Sequence, residues 1–226
     1  MNNINNNKVA VIIEPRRHPL LFKIIKNVMF NLGSEWNLHV FCNDPNYIYS
    51  NLKNVTFSLN TIDKDNLTEE QYNTLLLSKE FWNTIKEENI LIFQTDSFIL
   101  NKRQEDLYIN ENFIGGVYFY GQFNKINCHM ANSPKLHYSI NGGFSFRKKN
   151  IMLECLDKVT ISNIIQYRNK YKMNNNLFLK TVIPEDLYFQ NAIELLNYKL
   201  PSIDKCNEFC ENLSYESINL NAFGIH

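Results

Sequence analysis

The chain has 226 residues, with 23 Lys+Arg against 23 Asp+Glu and a pI near 6.9. That length fits one sizeable α/β domain, and the balanced charge removes the basic face on which nucleic-acid binding rests. Aromatic residues make up 13% of the chain, yet no apolar run reaches the ~18 residues a membrane span needs. The lead "MNNINNN" lacks the charged segment and long apolar core of a signal peptide. Five cysteines at irregular spacing read as free thiols of a reducing compartment, so a cytoplasmic chain is expected. Cys206 and Cys210 stand four apart with no second pair to complete a metal site.

In chain order, "KVAVIIE" (8–14) is a continuous apolar run, the pattern of a strand buried on both faces. Pro15, Arg16, Arg17 and His18 follow, and Pro19 opens a helical pattern that runs to Leu32, with Gly33 to close it. "LHVFC" (38–42) and "VTFSL" (55–59) are further strands. Residues 67–89 are helical with Thr68 as N-cap, and Ser78 to Asn89 can form a separate helix. "ILIF" (90–93) is the fourth strand, and it runs straight into Gln94, Thr95, Asp96 and Ser97. "FIGGVYFYG" (113–121) is a strand, 122–140 a long polar loop, and "INGGFSFRKKN" (140–150) couples two glycines to a short strand. "IMLECLDKV" is a helix, "NKYKMNNN" a polar loop, and "PEDLYFQNAIELLNY" (184–198) a helix with two acids in its first turn.

Strands alternating with helices over short loops imply a mostly parallel sheet with helices on both faces. Ligands of such sheets bind beyond the carboxyl ends of the strands. Glu14 to Arg17, Asn43 with Asp44, and Gln94 to Ser97 all fall there. A buried lone carboxylate is costly, so Asp96 is expected on an exposed perch at that cleft. The other polar residues have ordinary structural readings as well. Glu185 and Asp186 suit a helix's positive end. Asn141, Gly142 and Gly143 can form a tight turn with φ > 0 at glycine. His226 can be a frayed end, and Arg16 and Arg17 are either solvated or bound to an anion.

Taken in order, "VAVIIEPRRHP", "YNTLLLSKEFW", "ILIFQTDSFIL", "FIGG", "INGGFSFR", "PEDLYFQ" and "FGIH" resemble a family of GT-A-type glycosyltransferase-like domains of unknown function found in giant viruses, bacteria and fungi. The resemblance spans the whole chain. It implies one GT-A, Rossmann-like domain over 1–226, with a nucleotide-sugar-binding half to about residue 100 and an acceptor-binding half after it. It implies a transferase acting on a nucleotide-sugar donor, UDP-linked in the first instance, and on a glycan or protein hydroxyl. A setting in viral or surface glycan synthesis, in a host cytoplasm or virion, would follow.

The same resemblance distributes roles. Gln94-Thr95-Asp96 stands where the family carries its Asp-X-Asp motif, with Gln94 replacing the first acid. Asp96 and His226 would then hold Mn²⁺ or Mg²⁺ on the donor's diphosphate, and metal independence becomes possible with one acid lost. Glu14, Pro15, Arg16, Arg17, Tyr72, Leu76, Ser78 and Gln94 to Ser97 would line the donor, although Tyr72, Leu76 and Ser78 also read as helix core. Asn141, Gly142 and Gly143 would admit the sugars close to the backbone. Asp186, with Glu185 close behind, would take the acceptor's proton, because a hydroxyl is too weakly acidic to attack unaided. Two rivals stand beside this reading. A sugar-nucleotide nucleotidyltransferase would carry glycines after strand one, which "EPRRHP" lacks. A module that binds donor or glycan without turnover would bind and show no transfer.

Overall fold

A computed structural model describes residues 7–53, 55–102, 104–118, 139–170, 183–211 and 219–226. Strand β1 (Lys8–Ile13) is the centre of the fold, and its residues Val9 to Ile13 are all buried. Successive strand side chains point to opposite faces, so an unbroken buried run means that both faces of the sheet are covered. Burying each Val or Ile side chain of this run contributes roughly 1.5–3 kcal/mol relative to leaving it in water. β2 (Asn37–Cys42) and β4 (Asn89–Phe93) pair with β1 in parallel, and β3 (Phe57–Thr61) pairs in parallel with β2. β6 (Phe113–Tyr118) and β7 (Ser139–Lys148) complete a six-stranded sheet of order β3-β2-β1-β4-β7-β6. β7 alone runs against the rest, antiparallel to both β4 and β6. The mostly parallel α/β class expected from the alternation is the one observed.

Helix α1 (Leu21–Leu32) buries Leu21, Ile24, Ile25, Val28 and Leu32, one stripe of a 3.6-residue period, and ends at Gly33 with φ 84°. α2 (Pro45–Asn51) is capped by Asp44. The helical stretch 67–89 divides in two. α3 (Glu69–Leu76) begins with a capping box between Thr68 and Gln71, and α4 (Lys79–Thr84) begins at the Ser78 cap. α5 (Lys149–Lys158), α6 (Ile161–Lys170), α7 (Glu185–Leu195) and α8 (Ile203–Phe209) follow.

Three expectations need correction. The strand placed at 55–59 lies two residues later, at the sheet's edge. β7 is ten residues long, not short. Asn141, Gly142 and Gly143 lie inside β7, and Gly33 is the one glycine with positive φ among the described residues. Between the paired residues Ile140 and Ser145, β7 carries 141–144 opposite Gly116 alone, since Ile140 pairs with Val117 and Ser145 with Gly115. These residues therefore bulge out of the sheet, and bulges of this kind re-aim backbone and side chains beside sites. The polar stretch expected at 122–140 lies outside the described residues up to Ser139, as does "NKYKMNNN" after Lys170.

A second, three-stranded sheet joins β5 (Phe98–Ile99), β9 (Gly224–Ile225) and β8 (Cys210–Glu211) in the order β5-β9-β8. It anchors the last residues of the chain beside the end of β4. Phe223 is fully buried among Phe144, Phe146 and Phe209, with ring centroids 5.6–6.0 Å apart, and His226 donates its backbone N–H to Glu211 O at 3.1 Å. His226 is thus a tethered residue, not a frayed end. Cys42, Cys155, Cys206 and Cys210 are free and buried. Burial pushes the Cys206 thiol up to about 12 and the Cys210 thiol higher still, which keeps both protonated. Among the described residues, no helix is long and apolar enough to cross a membrane.

Candidate active site

The carboxyl ends of β1 and β4 open into a cleft of about 310 Å³. Glu14, Pro15 and Arg16 form one wall, Gln94, Thr95 and Asp96 another, and Tyr72 of α3 a third. A larger groove of about 480 Å³ lies among the amino-terminal halves of β2 and β3, beside His39 and Lys86. The smaller cleft is the candidate site, because it sits where strand ends deliver polar groups in a parallel sheet and adjoins the acid pair described below.

Asp96 has the exposed perch expected of it, with a side chain 71% accessible. The turn after β4 is held from beneath: buried Ser97 Oγ accepts the Gln94 N–H at 3.0 Å, and Ser97 N–H reaches back to Gln94 O at 3.1 Å. Arg16 lies against Glu14 in a two-pronged pair, Nε to Oε1 and Nη2 to Oε2, both at 2.7 Å. That guanidinium is already committed, so its part in the cleft is to hold Glu14 and present an edge. Arg17 turns away from the cleft, bonding Asp44 and lying over the Tyr47 ring. Leu76 is fully buried, and Ser78 caps α4 by accepting the Phe81 N–H. The structure therefore brings neither of them to the cleft.

Among the described residues the buried Tyr72 hydroxyl has no hydrogen-bond partner of normal geometry. Burial and the neighbouring Glu185 push its pKa well above the ordinary phenol value, so it keeps its proton and can donate. Gln94 is near enough to bear on the same hydroxyl, and Arg147 and Asp186 also act on it. Tyr72 is thus the meeting point of the cleft and the acid pair.

That pair opens α7. Arg147, fully buried in β7, grips Glu185 with Nη1 to Oε2 at 2.5 Å and Nη2 to Oε1 at 2.8 Å, and lies over the Phe113 ring at 4.8 Å. Burial opposes charge on Arg147, but Glu185 more than restores it, and the guanidinium stays charged. Arg147 Nη2 also donates to Gly142 O at 3.0 Å, and Asn73 Oδ1 of α3 accepts the Glu185 N–H at 3.0 Å. Both carboxylate oxygens of Glu185 are therefore taken. Asp186 is different. Among the described residues its oxygens accept backbone N–H groups alone, from Leu187 at 2.7 Å and Gly142 at 3.3 Å. Burial, together with the Glu185 charge beside it, pushes Asp186 up to about 7. A carboxylate poised there is matched to taking a proton at neutral pH.

The bulge of β7 fits between these groups because Gly142 and Gly143 have no side chains to fill the space. A Cβ on Gly142 would stand 2.2 Å from Glu185 Oε1, and one on Gly143 would stand 2.3 Å from His226 Nε2 and 2.7 Å from Gln94 Oε1. The glycines supply room, not positive φ. Gly143→Ala is expected to swing the His226 ring away from Gln94 while the fold survives, since the atoms an added Cβ would meet belong to side chains and not to backbone. The imidazole resonances of His226 should move while the thermal midpoint hardly does. A large loss of stability would show that the bulge itself cannot give.

His226 Nε2 lies 3.2 Å from Gln94 Oε1 and 3.5 Å from Asp96 Oδ1, and Nδ1 lies 2.9 Å from Asn141 Nδ2. Burial lowers its pKa and Asp96 only partly compensates, so the ring is neutral near pH 7. Among the described residues no group of three or more His, Cys, Asp or Glu surrounds a common point. Sequence reasoning missed Arg147 and Asn73. The arginine's signal was present all the same, as a charge ending the otherwise apolar "GGFSFR".

Sheet order, bulged antiparallel strand and an acid-opened helix beside strand ends together define a GT-A glycosyltransferase fold. Solved structures agree. A galactosyltransferase, LgtC, in complex with donor and acceptor sugar analogs superposes with a TM-score of 0.60 at 9% identity, over 96% of this chain and 86% of that one. Mouse xyloside xylosyltransferase 1, in its apo form, gives 0.58 at 9% identity, over 92% and 88%. At that identity the likeness is one of fold. By sequence the chain belongs to the family described as "Protein of unknown function (DUF5672)", which matches residues 56–226. No curated protein matches it by sequence.

Proposed function

We propose that the chain is a glycosyltransferase that moves a sugar from a nucleoside-diphosphate donor, UDP-linked in the first instance, to an acceptor hydroxyl of a glycan or protein, in viral or surface glycan synthesis. One observation carries this reading: Asp186 is a carboxylate with a pKa near 7, which among the described residues makes no ion pair, the Arg147 guanidinium being bonded to Glu185 instead, and it is set beside a cleft at the strand ends. Asp186 would accept the acceptor hydroxyl's proton at Oδ2 as that oxygen attacks the anomeric carbon and the bond to the diphosphate breaks. Tyr72 would offer its hydroxyl to the donor, and the glycine bulge would let the sugar lie against the backbone.

Among the described residues, the cleft's charged groups are Glu14, Glu69 and Asp96 against Arg16. A diphosphate placed there meets an excess of negative charge, so a cation travelling with it is favoured. The exposed Asp96 carboxylate and the Gln94 carbonyl oxygen fit a hard ion such as Mn²⁺ or Mg²⁺. Such an ion, when bound, would stabilise the charge of the leaving diphosphate. The separate halves for donor, to about residue 100, and acceptor, after it, belong to the same proposal.

The test is to incubate the protein with UDP-, GDP- and dTDP-sugars and follow release of the nucleoside diphosphate by NMR. Release from one donor, accelerated by an acceptor sugar, is the expected result. Donor binding with no release at all would favour the module without turnover, for which the loss of an acid at Gln94 speaks.

A further inference from the structure

Asn141 decides which nitrogen of His226 carries the proton. The Asn141 side chain is buried, and its Oδ1 accepts the Gly143 N–H at 2.7 Å. Turning the amide over would set two donors face to face, so Nδ2 must be the atom that faces His226 Nδ1 at 2.9 Å. An amide nitrogen only donates, and Nδ1 must therefore accept. A neutral imidazole that accepts at Nδ1 carries its hydrogen on Nε2. The surroundings of Nε2 agree, since Gln94 Oε1 and Asp96 Oδ1, both acceptors, are what it meets.

A divalent ion needs the lone pair of the nitrogen that faces it. To offer that pair from Nε2, the ring would have to move its hydrogen to Nδ1, against the N–H of Asn141. Metal-bound histidines ordinarily donate their other N–H to a carboxylate or carbonyl oxygen, and Asn141 presents the opposite polarity. We propose that His226 serves this cleft as an N–H donor, fixed in that tautomer by Asn141 as a positioning residue, and is not a ligand to a divalent ion. The identity of its acceptor, an oxygen of the donor's diphosphate, rests on the glycosyltransferase reading; the tautomer does not. An ion in the cleft would then be held by Asp96, Gln94 and the diphosphate alone, and would arrive with the nucleotide.

Long-range ¹H–¹⁵N correlation spectra of the imidazole test this on the unaltered protein. The expected pattern is that of the Nε2–H tautomer, and the Nδ1–H pattern would overturn the proposal. Electron paramagnetic resonance of Mn²⁺ without nucleotide is the second readout. Little binding is expected for the wild type, whereas Asn141→Asp, which accepts at both oxygens and so reverses the tautomer, should bind Mn²⁺ about tenfold or more tightly. Wild-type Mn²⁺ binding that disappears in His226→Ala would refute the proposal. With UDP as probe, His226→Ala should weaken binding about tenfold, the scale of one hydrogen bond to a charged group, while His226→Gln, which keeps an N–H donor, should not. If UDP fails to bind although the Nε2–H pattern is seen, the donor-site reading falls and the assignment of His226 stands.

Discussion

Replacing Asp186 by Asn is expected to lower the transfer rate by roughly 10²–10⁴-fold, the usual contribution of a positioned general base, while donor affinity changes little. Asn keeps the size of the side chain and cannot take a proton. Glu185→Gln leaves the base in place and should cost far less activity directly. The pH dependence gives the same assignment independently. A base works only when ionised, and Asp186 sits at about 7. Transfer should therefore fall tenfold per pH unit below that value and level off above it. Its cause makes a further distinction. Part of the elevation comes from the Glu185 charge, so Glu185→Gln should move the limb to lower pH. Rate profiles of the wild type and both variants, read from donor consumption, check all of this. A profile with no limb near neutrality would remove Asp186 from the role.

The largest effect on stability is expected at Arg147. Arg147→Met leaves the Glu185 carboxylate buried and unpaired, which costs about 3–5 kcal/mol. The site amplifies the loss, because the guanidinium also ties Gly142 O to Ser145 Oγ through bonds of 3.0 and 2.9 Å. Removing both charges is a different matter. Arg147→Met with Glu185→Leu replaces a buried pair by apolar groups among Trp82, Phe113 and Phe189, and most of the stability should return. Denaturant unfolding of the two single variants and the double variant measures the coupling. Strict additivity of the singles would mean that the pair contributes nothing as a pair. Transfer should not return with stability, since the bulge at Gly142 that carries the second contact of Asp186 would no longer be held.

What the sequence discloses and what it hides divide along physical lines. The apolar runs of β1 and β4 are local signals, and they locate the strand ends and put Asp96 in the open. Thr68 and Ser78 announce their helices because a cap is a short-range pattern. The Arg147–Glu185 pair joins residues 38 apart, and no local pattern marks it. Arg16 and Arg17 look alike as text, but Glu14 captures one and Asp44 draws the other out of the cleft. Gly142 and Gly143 look like a turn because glycine usually serves φ > 0, whereas here their missing side chains make room for Glu185 and His226. The two-residue strands β5, β8 and β9 are too short to carry any period, so the sheet that seats His226 is invisible until folded.

The central claim is that the cleft between Glu14, Tyr72 and Asp96 takes a nucleoside-diphosphate sugar. Titration calorimetry of UDP-, GDP- and dTDP-sugars, with Mn²⁺ present, tests it most directly, run on the wild type, Asp96→Ala and Tyr72→Phe. Saturable binding of one donor by the wild type, weakened in both variants, is the predicted result. No binding of any donor, or binding that neither substitution changes, would contradict it.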